Sequence, residues 1–239
     1  MTDWTLQSHG QLARPTGGVA LIILDGVGIG PQNEANAWHL ADTPYLDSLM
    51  ETPVVGQLRA HGRAVGMPSD KDMGNSEVGH NAMGAGRIFD QGAKLVQVAV
   101  DKGELTRCET WQWLMEPVKD EGTLHFIGLL SDGNVHSHIE HLLAMVRAAG
   151  NQGAECIRVH VLLDGRDVGE KTALEYVAQL EECLTSLRAQ GVDAQVASGG
   201  GRMVITMDRY EADWSMVERG WCAHVLGEGR AFSSLTEGI

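Results

Sequence analysis

Asp25 and Ser76 are the residues whose types and settings speak most directly of chemistry. Asp25 follows the apolar run VALIIL (residues 19–24) and precedes Gly26, so a strand end would present a hard carboxylate suited to a divalent cation. Ser76 precedes Glu77 and a small-residue stretch of helical character, which puts it at a helix N-terminus. There the unsatisfied backbone N–H groups and the macrodipole favour an anion beside the hydroxyl. A serine hydroxyl is a poor nucleophile until a base or a metal takes its proton. A cation shared by Asp25 and Ser76 would generate the alkoxide and neutralise an incoming phosphate together. Ser and Asp are also ordinary capping and turn residues, so the pair by itself leaves that plainer reading open.

Three further stretches carry charge in turn-like settings: Ser131-Asp132-Gly133 with His136 close behind, Asp164-Gly165-Arg166-Asp167, and Ser198 to Arg202 followed by Arg209. Planar guanidinium groups grip carboxylates and phosphates in bidentate fashion, and a carboxylate beside hydroxyl groups can move their protons. Taken singly, each arginine reads as a surface ion pair. His136, His138 and His141 spell H-x-H-x-x-H, which invites a zinc reading. A helix starting near His138 would leave His136 in the preceding turn, so a shared metal is disfavoured; His141 reads as solvated or capping, and His138 stays open. His80, one turn beyond Ser76, reads as a supporting residue.

The elements that must position these groups are legible as alternation. Residues 19–24 read as a buried strand, 42–51 as a short helix with Pro44 at a permitted early position, and 66–76 as a polar loop. From Gly122 onward, residues 124–130 predict a strand, 138–149 an amphipathic helix, 157–163 a strand, 171–189 a helix stopped by Gly191, 194–197 a strand, and 208–220 a final helix. Residues 228–239 look like another helix start. Strand–helix alternation with short links implies an α/β fold of parallel sheets flanked by helices. Ligand sites in such sheets lie at the carboxyl ends of strands, and the charged stretches fall there.

The 239 residues include 18 Lys and Arg against 32 Asp and Glu, a net charge of −14. That argues against a general nucleic-acid surface, though a few arginines can reverse the field within one pocket. Cys108, Cys156, Cys183 and Cys222 form no C-x-x-C pair and read as buried free thiols, which fits a reducing, cytoplasmic setting. The first 18 residues read as a mobile leader without signal-peptide character, and no apolar run is long enough to cross a bilayer. Trp111, Trp113, Trp214 and Trp221 read as packing residues.

The segment MPSDKDMGNSEVGHNAMGAGR (residues 67–87) closely resembles the serine-nucleophile segment of the cofactor-independent phosphoglycerate mutases, members of the alkaline-phosphatase superfamily. LDGVGIG (24–30), SDGNVHSH (131–138), LLDGRDV (162–168) and GGGRMVITMDRY (199–210) resemble four further family segments in the family's order. The longer 199–210 spelling and the serine loop look most like the plant and trypanosomatid branch. Val27 stands where the family often carries Trp, next to the metal ligand.

The resemblance implies an isomerase that interconverts 3-phosphoglycerate and 2-phosphoglycerate in glycolysis and gluconeogenesis, without 2,3-bisphosphoglycerate and with no nucleic-acid or membrane partner. It implies Ser76 as the phosphoenzyme serine, with Asp25 and Ser76 as ligands of one of two divalent ions, manganese by analogy. His136, Arg166, Asp167, Arg202 and Arg209 become substrate residues, with Asp167 the proton carrier. It further implies residues 19–89 as the first part of a metal-binding phosphatase-like domain, and 90–239 as most of an inserted α/β transferase domain. The remaining metal ligands belong to a carboxyl-terminal half not found here, so the chain reads as a fragment, inactive alone. A metal-dependent phosphatase of the same superfamily and a non-catalytic phosphoglycerate-binding fragment are the rival expectations.

Overall fold

The computed structural model describes residues 8, 10–119, 121–205, 207 and 210–239. The chain divides into two compact units, Met1–Gln57 and Leu58–Ile239.

The first unit contains α1 (Ala37–Leu40) and α2 (Pro44–Met50). Asn36 caps α1 by accepting from the Trp38 and His39 N–H groups, and Pro44 occupies the first turn of α2, where its missing N–H costs nothing. The strand expected over residues 19–24 does not form. Val19, Leu21 and Ile22 are 79, 72 and 81% exposed, in irregular backbone. A parallel strand exists only with hydrogen-bonding neighbours and apolar cover, and the described residues of this unit supply neither.

The second unit opens with a 3-10 turn, Gly62–Val65, then α3 (Ser76–Ala85), α4 (Gly92–Asp101) and α5 (Glu109–Val118). A small core of Val65, Met67 and Val78 joins the turn to α3. Gln91 closes it: its backbone N–H donates to Gly66 O and its buried side chain to Val65 O.

The rest is the predicted alternation: β1 (Thr123–Leu130), α6 (Ile139–Asn151), β2 (Cys156–Leu163), α7 (Ala173–Arg188) and β3 (Asp193–Gly201). The three strands are parallel in the order β1-β2-β3. Strand residues Leu124, Ile157, Val159, Val161 and Ala194 share one core with Val146 of α6, Leu180 and Leu184 of α7 and Met115 of α5. In α7 the buried set Val177, Leu180, Leu184 and Leu187 keeps helical spacing.

β3 runs four residues past its expected end. The tract Ser198-Gly199-Gly200-Gly201, placed by sequence just beyond the strand, is strand. Glycine serves here because neighbours approach closely: a Cβ on Gly199 would lie 2.7 Å from Val161 and one on Gly200 2.6 Å from Ile205. Val159 pairs with Val196 but His160 with Ser198, so Ala197 is the extra residue of a β-bulge.

The last helix begins later than expected. α8 spans Trp214–Trp221, with Asp213 accepting from the Met216 N–H as its cap, and continues into a π-helical turn, Cys222–Leu226. Residues 208 and 209 of the expected helix lie outside the described set, and residues 228–239 form turns instead of a helix.

Two composition readings need correction. Of the four tryptophans read as packing residues only Trp111 is buried; Trp113, Trp214 and Trp221 are 57–69% exposed. Of the cysteines only Cys183 is buried, although all four are free thiols. Residue type alone did not reveal which helix face meets the sheet. No helix among the described residues is long and apolar enough to cross a membrane.

Candidate functional site

Parallel strands deliver all their carboxyl ends to one edge of the sheet. Asp164 follows β2 directly, and its Oδ1 accepts from the backbone N–H groups of Gly165, Arg166 and Asp167 at 2.9, 3.0 and 3.2 Å. One carboxylate oxygen thus winds the Arg166-Asp167 turn around itself. Arg202, immediately after β3, donates from Nη1 to Asp164 Oδ1 at 3.0 Å and to Asp167 Oδ2 at 2.7 Å. Its side chain is 8% exposed and that of Asp164 1%. The Arg202 Nε is buried with no partner among the described residues. Burial acts to raise the Asp164 pKa, but the Ser131 hydroxyl, the turn N–H groups and the Arg202 guanidinium outweigh it and hold the carboxyl below its usual range.

The loop after β1 closes against this turn. A Cβ on Gly133 would sit 2.8 Å from the Asp167 Cβ, so the approach requires glycine. His136 Nε2 lies 3.8 Å from Asp167 Oδ2. Tyr176 of α7 donates from its hydroxyl to Asp132 Oδ1 at 2.6 Å; burial and that carboxylate push the phenol pKa up to about 12, so it remains a donor.

The same loop reaches the Ser76 segment. Asn134, with φ 55°, donates from Nδ2 to Asp72 Oδ1 at 2.7 Å, a buried link spanning 62 residues of sequence. Asp72 Oδ2 accepts from the Ser69 N–H. Burial would raise the Asp72 pKa, and these donors lower it. Asn75 caps α3 by accepting from the Val78 N–H at 3.0 Å, which leaves exposed Ser76 as the first helical residue. His80, one turn on, contacts the Ser76 carbonyl from Nδ1 at 2.7 Å. A cavity of about 120 Å³ lies where this helix start faces the β1 loop, lined by Asn75, Glu77, Val78, Gln91, Asn134 and Val135.

The expected residues therefore divide. His136, Asp167 and Arg202 come together, and the loop of Ser76 is joined to them through Asp72 and Asn134. Arg166 stands at the exposed rim, its Nη1 3.6 Å from Met203 Sδ. Arg209 lies outside the described residues. Asp25 belongs to the first unit, where it forms the expected turn with Gly26, whose φ is 75°. His138 proves to be the cap of α6, accepting from the Glu140 N–H. His141 is neither solvated nor a cap: it meets Gln97 Oε1 at 2.9 Å, and burial lowers its pKa. No group of three or more His, Cys, Asp or Glu among the described residues could hold a metal.

Asp72, Asn134 and Tyr176 were given no role by sequence reasoning, and Asp164 was named only as part of its charged stretch. Asp164 offered a signal, an Asp-Gly pair directly after an apolar run; the other three work through partners 44 to 62 residues away and offered none.

Comparison with known proteins agrees with the sequence resemblance. Residues 96–239 match the family model described as BPG-independent PGAM N-terminus. The chain is 54% identical over 237 residues to a Trypanosoma brucei brucei protein named 2,3-bisphosphoglycerate-independent phosphoglycerate mutase, covering 98% of this chain and 43% of that one. A Zea mays protein of the same name is 52% identical, with 99 and 43% covered. A crystal structure of Leishmania mexicana phosphoglycerate mutase, obtained at low cobalt concentration, superposes with a TM-score of 0.82 at 51% identity over 90% of this chain and 40% of that one. The chain thus spans about two-fifths of the length of these relatives.

Proposed function

This chain belongs to the BPG-independent phosphoglycerate mutase family, and from that premise we propose that it carries the phosphate-accepting serine and much of the glycerate-binding surface of a 3-phosphoglycerate/2-phosphoglycerate isomerase. The observation that carries the reading is the convergence of His136, Asp167 and Arg202 at the strand ends, joined by the Asp72–Asn134 bond to the loop of Ser76.

In this reading Ser76 takes the phosphate. At the first position of a ten-residue helix, its phosphoester would face the positive end of the helix dipole. Arg202 offers its unpartnered Nε to a ligand oxygen while Asp164 and Asp167 hold its plane. Arg166 at the rim closes on the anionic end of the glycerate, and Arg209 supplies a second guanidinium. Asp167, with a carboxylate oxygen near His136 Nε2, moves the proton between the glycerate hydroxyls, and His136 steadies the substrate beside it.

The family implies divalent metal. Asp25 and Ser76 are hard oxygen donors of the right kind, but two donors do not make a tight site and no three-residue cluster of the described residues adds to them. The chain alone therefore does not fit the metal centre, and no step is routed through it. Manganese as the ion, and a cytoplasmic setting, are part of this proposal.

The test is an assay of the purified chain with 3-phosphoglycerate and manganese, beside calorimetric titration with 2-phosphoglycerate with and without the metal. Binding without turnover, and without need of metal, is the expected result. Turnover at ordinary enzymatic rates would refute the incomplete site. Phosphate release from unrelated esters would favour a phosphatase.

A further inference from the structure

On the sheet face opposite the main core, side chains from four elements join end to end. His125 Nδ1 of β1 lies 2.9 Å from His160 Nε2 of β2, His160 Nδ1 lies 2.6 Å from Ser198 Oγ of β3, and Ser198 Oγ lies 2.6 Å from His224 Nδ1 of the π-helical turn. The His125 and His160 rings stack with centroids 5.2 Å apart, and His224 meets His160 edge-on at 5.9 Å.

Three links need three protons, and neutral groups supply them in one consistent direction. His224 Nδ1–H donates to Ser198, the Ser198 hydroxyl donates to His160 Nδ1, and His160 Nε2–H donates to His125 Nδ1. His224 Nε2 then carries a lone pair only, in keeping with its burial without a partner among the described residues. Protonating His224 would put an N–H there with nothing to receive it, a costlier state than an unused acceptor.

The relay sits where the sheet needs it. Ser198 is the first residue after the bulge at Ala197, and Gly199-Gly200-Gly201 follow. A glycine tract specifies its register weakly, and a one-residue slip sends every following side chain to the other face. The residue after the tract is Arg202. The next turn is tied from the same side, Arg219 Nε of α8 donating to Val204 O at 3.0 Å.

We propose that the His125–His160–Ser198–His224 relay is a positioning device that pins the register of β3 beyond its bulge. It thereby sets Arg202 between Asp164 and Asp167, and it holds only while its imidazoles are neutral. The consequence for substrate rests on the proposed function; the register claim does not.

Burial keeps His160 and His224 below the ordinary 6.5, and the charges of His125 and His224 push His160 the same way. The other ionisable groups on the packed elements are few. Arg158 on the same face of β2 is matched by Asp193 of β3 at 2.5 Å. α8 contributes exposed Glu218 and Arg219, the latter facing Asp213, and Cys222 begins the π-helical turn. Among the described residues no carboxylate acts on His160 or His224 to favour the protonated ring.

The experiment is side-chain NMR of the 239-residue chain: histidine tautomers, the slowly exchanging Arg202 guanidinium signals, and amide exchange. In the wild type the Arg202 signals should be present at about pH 7.5 and lost as the pH falls below 6.5, through the lowered values of His160 and His224. In Ser198→Ala they should be absent already at the upper pH, with exchange over residues 198–205 faster by about tenfold or more while 123–130 stay protected. Ser198→Thr should restore them. In His136→Gln the pH-dependent loss should persist; its disappearance would assign the titration to His136 and overturn the proposal. A folded Ser198→Ala chain with wild-type Arg202 signals would overturn it as well. Should that variant not fold, His224→Gln serves the same comparison with the same two outcomes. None of these readouts needs a phosphoglycerate, so failure of the functional reading leaves them decisive.

Discussion

Arg202 is a buried cation between two carboxylates, and its neighbours decide what it costs and what it does. Asp164 is the less exposed partner and also winds the turn that presents Asp167. Asp164→Ala would leave the guanidinium half-paired and the turn N–H groups without their acceptor. Such a change costs about 3–5 kcal/mol, and chemical denaturation should read that loss. Asp164→Asn keeps an oxygen for the turn and should cost less. Two classes of group then set the pH dependence of stability. The depressed Asp72 and Asp164 contribute stability that is fully present above the ordinary carboxylate value of 3.8 and is lost as pH falls through their lower folded values. His160 and His224 are also depressed, so the unfolded chain binds protons first as pH falls below 6.5. Thermal unfolding should therefore show stability declining in two stages on acidification, and in Asp72→Asn the acid-side stage should shrink.

At the scale of elements, β1, α6, β2 and α7 follow from pattern, because each buries one face against a shared core and the burial imposes its period on the sequence. Leu180→Ala, at a fully buried position of α7, should cost about 2–5 kcal/mol by urea denaturation. The end of β3 was not legible, since the glycines were placed beyond the strand when close approach to Val161 and Ile205 was what required them within it. The strand expected over residues 19–24 failed for the opposite reason: an apolar run records what a segment prefers to bury, not whether partners are present. The site was legible to the same degree. His136, Asp167 and Arg202 fell at strand ends, where parallel topology gathers them. Asp72 and Asn134 act through a long-range bond that no local pattern announces.

At the scale of the molecule, the first unit exposes much apolar side chain, from Val19 through Leu24 and on to Val54 and Val55 near its end. Contiguous exposed apolar surface promotes association. Sedimentation of the chain should show concentration-dependent self-association, and Leu21→Lys with Ile22→Lys should reduce it without changing the unfolding of the sheet unit. A monodisperse wild-type monomer would count against this. The acidic balance of −14 over the whole chain leaves recognition of an anion to the local arginines.

Titrating 2-phosphoglycerate into the isotope-labelled chain without metal tests the central claim most directly. Shifts concentrated at His136, Arg166, Asp167 and Arg202, weakened at least tenfold in affinity by Arg202→Ala (about 1.4 kcal/mol or more), are what the account predicts. Shifts confined to other surfaces, or none at millimolar ligand, would contradict it.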